Sequence, residues 1–81
     1  MKVRIKKLHF PIIIEQDEDG YYIVSCPVFK GCHSYGKTIK EAMKNIKEAI
    51  ELCLEEERIE ELNEFIGIRE IEIEISEATG T

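Results

Sequence analysis

The stretch DEDGYYIVSCPVFKGCHSYGKTIKEA, residues 17–42, decides the fold of this chain. It begins with short carboxylates followed by Gly20, which predict a tight turn, because Asp side chains bond local backbone and glycine tolerates a positive φ. The β-rich residues 21–26 then predict the return strand of a hairpin, which Pro27 stops. Residues 32–35 predict a short third strand.

A long amphipathic helix follows, and Thr38 and Glu41 mark its start. At this spacing the two side chains form a capping box, in which each satisfies an amide of the first turn that has no partner within the helix. Apolar residues then recur at steps of three and four, as one face of a helix requires. They are Ile39, Ala42, Met43, Ile46, Ala49, Ile50, Cys53 and Leu54. The acidic run at 55–57 opposes the helix dipole, so the helix is predicted to end near Arg58.

The residues before the turn predict further extended chain. Residues 2–6 alternate basic with apolar side chains, a strand pattern, and residues 8–15 are rich in β-forming residues. The apolar positions change parity between these two segments. A β-bulge or break at residues 6–7 would return the apolar side chains to one face.

Two more elements are predicted after the long helix. Residues 59–66 have the apolar spacing of a short second helix, with Gly67 as its C-cap. Residues 69–75 alternate Ile with Glu and predict a half-buried strand. Its acidic face complements the basic face of residues 2–6. We therefore expect it to lie parallel to and beside the first strand, after a right-handed crossover.

These elements predict an α+β fold of order β-β-β-α-(short α)-β, in which one long helix covers one face of a single sheet. Residues 1–75 form one domain, and residues 76–81 form a flexible C-terminal tail. The opposite sheet face also carries apolar residues, which we expect to include Ile13, Tyr22 and Val24. Because an 81-residue chain is too small to cover both faces, we expect a homodimer or larger oligomer held partly through that face.

The net charge of −6 is unevenly distributed along the chain. Residues 1–50 carry nine basic and six acidic side chains, whereas residues 51–81 carry two basic and eleven acidic ones. The acidic half repels phosphates, which disfavours broad nucleic-acid binding and favours a basic protein partner. Two alternatives remain open: a simply solvated acidic surface, and binding of single-stranded nucleic acid by the basic N-terminal residues and nearby tyrosines.

No pattern in the sequence indicates a membrane or secretory protein. The N-terminus lacks the apolar core of a signal peptide, and no apolar run approaches the length of a membrane span. We therefore expect a soluble, cytoplasmic protein. The three cysteines, Cys26, Cys32 and Cys53, are an odd number and are expected to remain reduced thiols.

Catalytic and metal sites are not expected. Asp17, Asp19 and Glu41 are explained by turn and cap geometry, which leaves a two-metal nuclease as a minor alternative. The Cys–His segment at residues 26–33 lacks the tight cysteine pairs and the complete ligand set of a zinc site. We predict no catalytic residues, no cofactor and no bound metal.

Taken in order, these features resemble the HicB family, the antitoxin halves of HicA–HicB toxin–antitoxin pairs. The resemblance covers residues 10–54. Its parts are Phe10-Pro11-Ile12-Ile13-Ile14-Glu15, Asp17-x-Asp19-Gly20-Tyr21, Pro27, Gly31-Cys32, Gly36, Thr38 and Glu41-Ala42. The resemblance implies a partial, catalytically degenerate ribonuclease-H-like fold.

The resemblance also implies a function, the binding and occlusion of a small, basic HicA-type toxin that cuts messenger RNA. Many family members add a C-terminal DNA-binding domain. Here only a short polar tail follows residue 75, which puts direct DNA binding in question. The alternative reading is a solitary, oligomeric HicB-like domain with a different partner or ligand.

For the partner interface we expect aromatic anchors and acidic steering charges, since buried aromatics dominate interface energy and rim charges guide association. The expected contact residues lie around the hairpin and after the long helix. They are Asp17, Glu18, Asp19, Tyr21, Tyr22, Tyr35, Glu56, Glu60 and Glu61.

Overall fold

Three antiparallel strands and one long helix form the body of the chain. The computed structural model describes residues 3–58 and 61–77. The elements are β1 (Ile13–Gln16), β2 (Tyr22–Ser25), β3 (His33–Gly36) and α1 (Ile39–Glu56), and the strands lie in the order β1-β2-β3. The predicted α+β fold, with one sheet and one long helix, is confirmed.

The turn between β1 and β2 forms where the acidic residues predict it. The amide of Asp17 donates to the carbonyl of Tyr21 (2.9 Å), and the amide of Gly20 donates to the carbonyl of Asp17 (3.1 Å). Gly20 has a φ of 87°, a conformation that residues with a Cβ rarely adopt. The turn places Gln16 opposite Tyr22 and thereby sets the register of the hairpin.

A short connection links β2 to β3 and contributes to the core. Strand β2 ends at Ser25, shortly before Pro27, and the amide of Cys26 donates to the carbonyl of Cys32 (3.0 Å). Gly31, with a φ of 68°, helps to reverse the chain. Strand β3 starts one residue later than predicted, because Cys32 belongs to this closing contact.

Helix α1 begins as the capping box predicts. Thr38 is the N-cap, and its Oγ1 accepts a hydrogen bond from the amide of Glu41 (3.0 Å). The carboxylate of Glu41 accepts a hydrogen bond from the amide of Lys37 (3.4 Å). The last turn carries no basic residue to offset the helix dipole, and α1 ends at Glu56, close to the predicted end. No helix in the described part of the chain is both long enough and apolar enough to cross a membrane.

The core lies between α1 and one face of the sheet. Its buried residues come from β2, from the connection that follows it, and from the helix. They are Val24, Cys26, Val28, Phe29, Cys32, Ala42, Ile46 and Ile50. Val24, Ala42 and Ile46 are at most 1% exposed, so β2 and α1 exclude water where they meet.

The structure corrects the expected distribution of side chains between the two sheet faces. Val24 is completely buried and Tyr22 packs against the core, so both lie under α1 and not on the opposite face. That opposite face, called the outer face below, carries Ile13 and Ile23, because side chains alternate along each paired strand. The outer face therefore carries a different set of apolar residues from the one that the sequence predicts.

The strands predicted at the two ends of the chain do not form within one chain. Residues 3–12 and 68–77 carry no strand, and β1 is an edge of the sheet formed by the described residues. The prediction that residues 69–75 lie parallel to and beside the first strand is therefore wrong for a single chain. Residue 2 and residues 78–81, which the sequence predictions also include, lie outside the described residues.

The predicted second helix, residues 59–66, does not form in its described part. Its first two residues lie outside the described residues. Beyond them, Leu62 packs against the core, and the amide of Asn63 donates to the carbonyl of Val28 (3.3 Å). These contacts hold the chain at the end of the sheet where β1 begins, and residues 68–77 continue from there without joining the sheet.

The backbone of α1 comes very close to the sheet at Gly36. A Cβ added to Gly36 would lie 2.6 Å from the amide nitrogen of Ala42 and 3.0 Å from its Cα. Because these are backbone atoms, they cannot move aside as a flexible side chain could. We predict that Gly36→Ala lowers the free energy of unfolding by about 2 kcal/mol or more. Urea denaturation followed by circular dichroism measures the change.

Gly67→Ala is the matched control, because nothing lies within 4 Å of a Cβ added at that position. We expect this substitution to change the free energy of unfolding by less than about 0.5 kcal/mol. Equal destabilisation by the two substitutions would contradict the close contact between helix and sheet.

Candidate functional site

The outer face of the sheet holds two of the three tyrosines that the sequence suggests as anchors. Tyr35 of β3 stands opposite Ile23 of β2, and His33 lies two residues before Tyr35 on the same face. Together with Tyr21 and Asp17, these side chains line a depression of about 470 Å³. These five residues are called the outer-face patch below.

Tyr21 and Tyr35 form an aromatic pair within the outer-face patch. Their ring centroids lie 6.2 Å apart and their planes meet at 77°, which is the favourable edge-to-face geometry. Tyr35 is 62% exposed. A hydrogen bond from α1 fixes the backbone of Tyr35, since Nδ2 of Asn45 donates to the carbonyl of Tyr35 (2.9 Å). An exposed ring on a fixed backbone can bind a partner with little further loss of conformational entropy.

The acidic turn lies beside the outer-face patch and is fixed by one of its own carboxylates. Oδ1 of Asp17 accepts hydrogen bonds from the amides of Asp19 (3.0 Å) and Tyr21 (2.9 Å). The side chains of Glu18 and Asp19 are exposed. The turn therefore presents two negative charges to solvent on a backbone that Asp17 stabilises.

The structure divides the predicted contact residues into two groups. The first group, called the hairpin group, lies at the turn end of the sheet. It consists of Asp17, Glu18, Asp19, Tyr21 and Tyr35. Because these residues share one turn and one sheet face, a single partner could contact all of them.

The remaining predicted contact residues lie elsewhere. Glu56, the last residue of α1, and Glu61, which follows the helix, are exposed at the far end of α1, a helix of 18 residues and therefore about 27 Å long. Tyr22 faces α1 and is partly buried, so it cannot act beside Tyr21 as an anchor on the outer face. Glu60 lies outside the described residues.

Sequence reasoning did not identify Ile23 and His33 as members of the outer-face patch. Their position depends on the register of β2 and β3, in which Ile23 pairs with Tyr35 and Ser25 pairs with His33. The two-residue spacing between His33 and Tyr35 was the available signal, because such residues share one face of a strand.

The cysteines belong to the core and not to the outer face. Cys26 and Cys32 are buried, and Cys53 of α1 is half-buried beside them. Burial raises the pKa of the Cys32 thiol from its ordinary value of 9.0 to about 12, and a hydrogen bond with the thiol of Cys53 adds to this rise. Among residues 3–58 and 61–77, no set of three or more His, Cys, Asp or Glu side chains is placed to hold a metal ion.

Comparison with known protein families gives a match over most of the chain. The family model described as "HicB_like antitoxin of bacterial toxin-antitoxin system" matches residues 10–78. The match contains the hairpin, the outer-face patch and the whole of α1, and it extends through the residues after the helix.

Relatives of similar length occur in bacteria and archaea. A "UPF0150 protein" of Synechocystis sp. is 52% identical over 67 residues, which cover 83% of this chain and 97% of the relative. A "UPF0150 protein" of Archaeoglobus fulgidus is 48% identical over 66 residues, which cover 82% of this chain and 96% of the relative. One from Thermotoga maritima is 40% identical over 67 residues, which cover 80% and 89%. The comparison with solved structures gave no significant match.

The raised pKa of Cys32 predicts a pH dependence of stability. The folded chain holds the Cys32 proton more tightly than the unfolded chain, so this contribution is fully present below pH 9. It is lost as the pH rises through the folded pKa of about 12. We predict that the free energy of unfolding falls less steeply above pH 9 in Cys32→Ala than in the wild type.

Urea denaturation at a series of pH values tests this prediction. All other ionisable groups are common to both proteins, so the difference between the two slopes reports on Cys32. Identical slopes would show that burial does not hold the Cys32 proton.

Proposed function

The chain belongs to the HicB-like antitoxin family of bacterial toxin–antitoxin systems, and we propose that it neutralises a small, basic toxin of the HicA type. In this proposal the toxin is an endoribonuclease that cuts messenger RNA in the cytoplasm. The antitoxin binds the toxin and covers its active site and its RNA-binding surface. The structural observation that carries the proposal is the outer-face patch, in which the exposed Tyr35 and the half-buried Tyr21 form an aromatic pair beside an acidic turn.

Charge supports a basic partner. The chain has a net charge of −6, and the exposed carboxylates of Glu18 and Asp19 lie next to the outer-face patch. A surface that binds RNA phosphates attracts carboxylates for the same electrostatic reason. The acidic turn would therefore compete with RNA for the basic surface of a toxin and would also speed the encounter.

The aromatic pair supports an interface with a stable centre. Tyrosines are enriched among the few residues that supply most of the binding energy in protein interfaces. The ring of Tyr35 is exposed, and Tyr21 and Ile23 lie beside it along the depression. Burial of these side chains would slow dissociation, whereas the neighbouring carboxylates would act mainly on association.

We propose that the chain acts by occlusion and not by catalysis. Two of the carboxylates that could have served a nuclease have structural partners. Asp17 accepts two amides of the turn, and Glu41 accepts the amide of Lys37 at the start of α1. In this proposal, the resemblance to ribonuclease H extends to the order of strands and helix and does not include catalytic activity.

The direct test is co-expression with the basic reading frame adjacent to the gene for this chain. Wild-type protein should rescue growth from the toxin and co-purify with it. We predict that Tyr35→Ala raises the dissociation rate at every salt concentration and weakens binding by about 2 kcal/mol or more. Surface plasmon resonance measures the rates.

Leu52→Ala is the matched control for Tyr35→Ala, because both side chains are 62% exposed and Leu52 lies on α1. The control should bind the toxin as the wild type does, and both variants should keep the wild-type unfolding midpoint. Equal binding by the two variants would remove Tyr35 from the interface. Failure of the wild type both to rescue growth and to bind would favour a solitary domain with a different partner.

Charge reversal separates the hairpin group from the far end of α1. We predict that Glu18→Lys with Asp19→Lys slows association with a basic toxin at low salt more than Glu56→Lys with Glu61→Lys does. The reason is that the first pair adjoins the outer-face patch. Both effects should fade near 1 M salt, where the screening length is about 3 Å.

Stopped-flow association at several salt concentrations measures this difference. Each pair of substitutions changes the net charge by the same amount, so a purely global charge effect would slow both variants equally. A larger effect from the Glu56 and Glu61 pair would place the toxin at the far end of α1.

A further inference from the structure

Both ends of the described chain are extended and expose large apolar side chains. Residues 3–9 are called the N-terminal arm and residues 68–77 the C-terminal arm. Val3 and Ile5 are 84% and 85% exposed, and Ile71, Ile73 and Ile75 are 73–85% exposed. The molecule reaches 75 Å along its longest axis. A row of exposed isoleucines of this kind usually marks a surface that binds another protein segment.

An apolar groove lies beside α1 on the face that the helix only partly covers. Its volume is about 680 Å³. One wall is formed by the N-terminal segment and the other by the helix. The apolar lining residues are Leu8, Phe10, Ile12, Met43, Ile46, Ile50 and Leu54. The groove adjoins β1, which pairs with β2 on one side and is the edge of the sheet on the other. An added strand could therefore enter the groove with its backbone paired.

The charges of the groove fit the C-terminal arm. Lys6, Lys44 and Lys47 line the groove, and Arg4 and Lys7 lie on the adjoining N-terminal arm. The C-terminal arm alternates three isoleucines with Glu70, Glu72 and Glu74. Glu51 also lines the groove, so its charged lining of three lysines and one glutamate is net positive. A strand of this kind offers its isoleucines to the groove on one face and carries its carboxylates on the opposite face, where alternation also places Lys7 of the N-terminal arm. The other basic residues attract the acidic arm over longer distances.

The positions at which the two arms leave the body determine whether the groove can accept the C-terminal arm of the same chain or that of a second copy. The rings of Phe10 and Phe29 lie 5.5 Å apart, and Asn63 is hydrogen-bonded to Val28. Both arms therefore meet the body at one end of the sheet, where the N-terminal arm runs inward and the C-terminal arm runs outward. To enter its own groove in the parallel direction, the C-terminal arm would have to reverse direction after Asn63. If a second copy is placed with the same end of its sheet facing this one, the C-terminal arm runs straight into the groove of that second copy.

We propose that two copies of this chain exchange their C-terminal arms. Each arm adds as a strand beside β1 and the N-terminal arm of the other copy, and runs parallel to them. Ile71, Ile73 and Ile75 fill the groove, and the glutamates lie on the opposite face of the added strand, close enough to the basic N-terminal arm for electrostatic attraction. The exchange covers both arms of both copies and uses none of the outer-face patch, so the toxin-binding surface stays open. The proposal therefore does not depend on the proposed function.

Two charge-reversed proteins test the exchange. The first, called N-reversed, carries Arg4→Glu, Lys6→Glu and Lys7→Glu. The second, called C-reversed, carries Glu70→Lys, Glu72→Lys and Glu74→Lys. In a dimer of either variant alone, the N-terminal arm of each copy meets a C-terminal arm of the same charge, so both contacts are repulsive. We expect the wild type to be a dimer and each variant to self-associate roughly tenfold or more weakly at low salt.

An equimolar mixture of the two variants distinguishes exchange from pairing within one chain. In a mixed dimer the glutamates of the N-reversed N-terminal arm meet the lysines of the C-reversed C-terminal arm. The second contact keeps the native charges on both sides. We expect a one-to-one mixed dimer with close to wild-type affinity, measured by sedimentation equilibrium with one variant carrying a mass tag.

The matched control carries Lys30→Glu, Lys37→Glu and Lys40→Glu, which make the same charge change at exposed positions outside the groove. It should remain a dimer. A monomeric wild type, or a mixture that forms no mixed dimer, would overturn the proposal. So would a control that dissociates as readily as the N-reversed protein, because net charge and not the arm contact would then explain the loss.

Discussion

The contact between α1 and one face of the sheet is the constraint on which the rest of this structure depends. The helix backbone comes so close to β3 that only glycine fits at position 36, and the same contact buries Val24 of β2 and Ile46 of α1. A single helix placed over β2 and β3 cannot also cover the edge at β1 or the outer face. The groove and the outer-face patch are therefore consequences of where the helix sits.

The two uncovered surfaces carry opposite charges, and this difference assigns them different occupants. Lysines line the groove, so it attracts the acidic C-terminal arm of a second copy. Exposed carboxylates border the outer-face patch, so its charge suits the basic toxin that we propose as its partner and disfavours that same arm. An antitoxin built in this way could form a dimer and still present two equivalent toxin-binding surfaces, one on each copy.

The sequence predicts the elements whose causes are local. The acidic turn depends on Asp17 and Gly20, and the start of α1 depends on Thr38 and Glu41, so short-range chemistry identifies both. The face on which Tyr22 lies depends on the strand register, and sequence reasoning assigned it wrongly. The alternation of Ile and Glu in residues 69–75 predicts a half-buried strand, whereas these residues are exposed and lie outside any strand. It does not reveal that Asn63 is held beside Val28, or that residues 68–77 leave the body without pairing with β1.

Amide hydrogen exchange on the free protein and on its complex with the toxin tests the central claim, that the two surfaces have separate occupants. We expect both arms to be protected in the free dimer and to lose protection on dilution to the monomer. We also expect residues 21–23 and 33–35 to gain protection only when the toxin binds. Arms that exchange freely at every concentration, or toxin-induced protection confined to the groove and the arms, would contradict this claim.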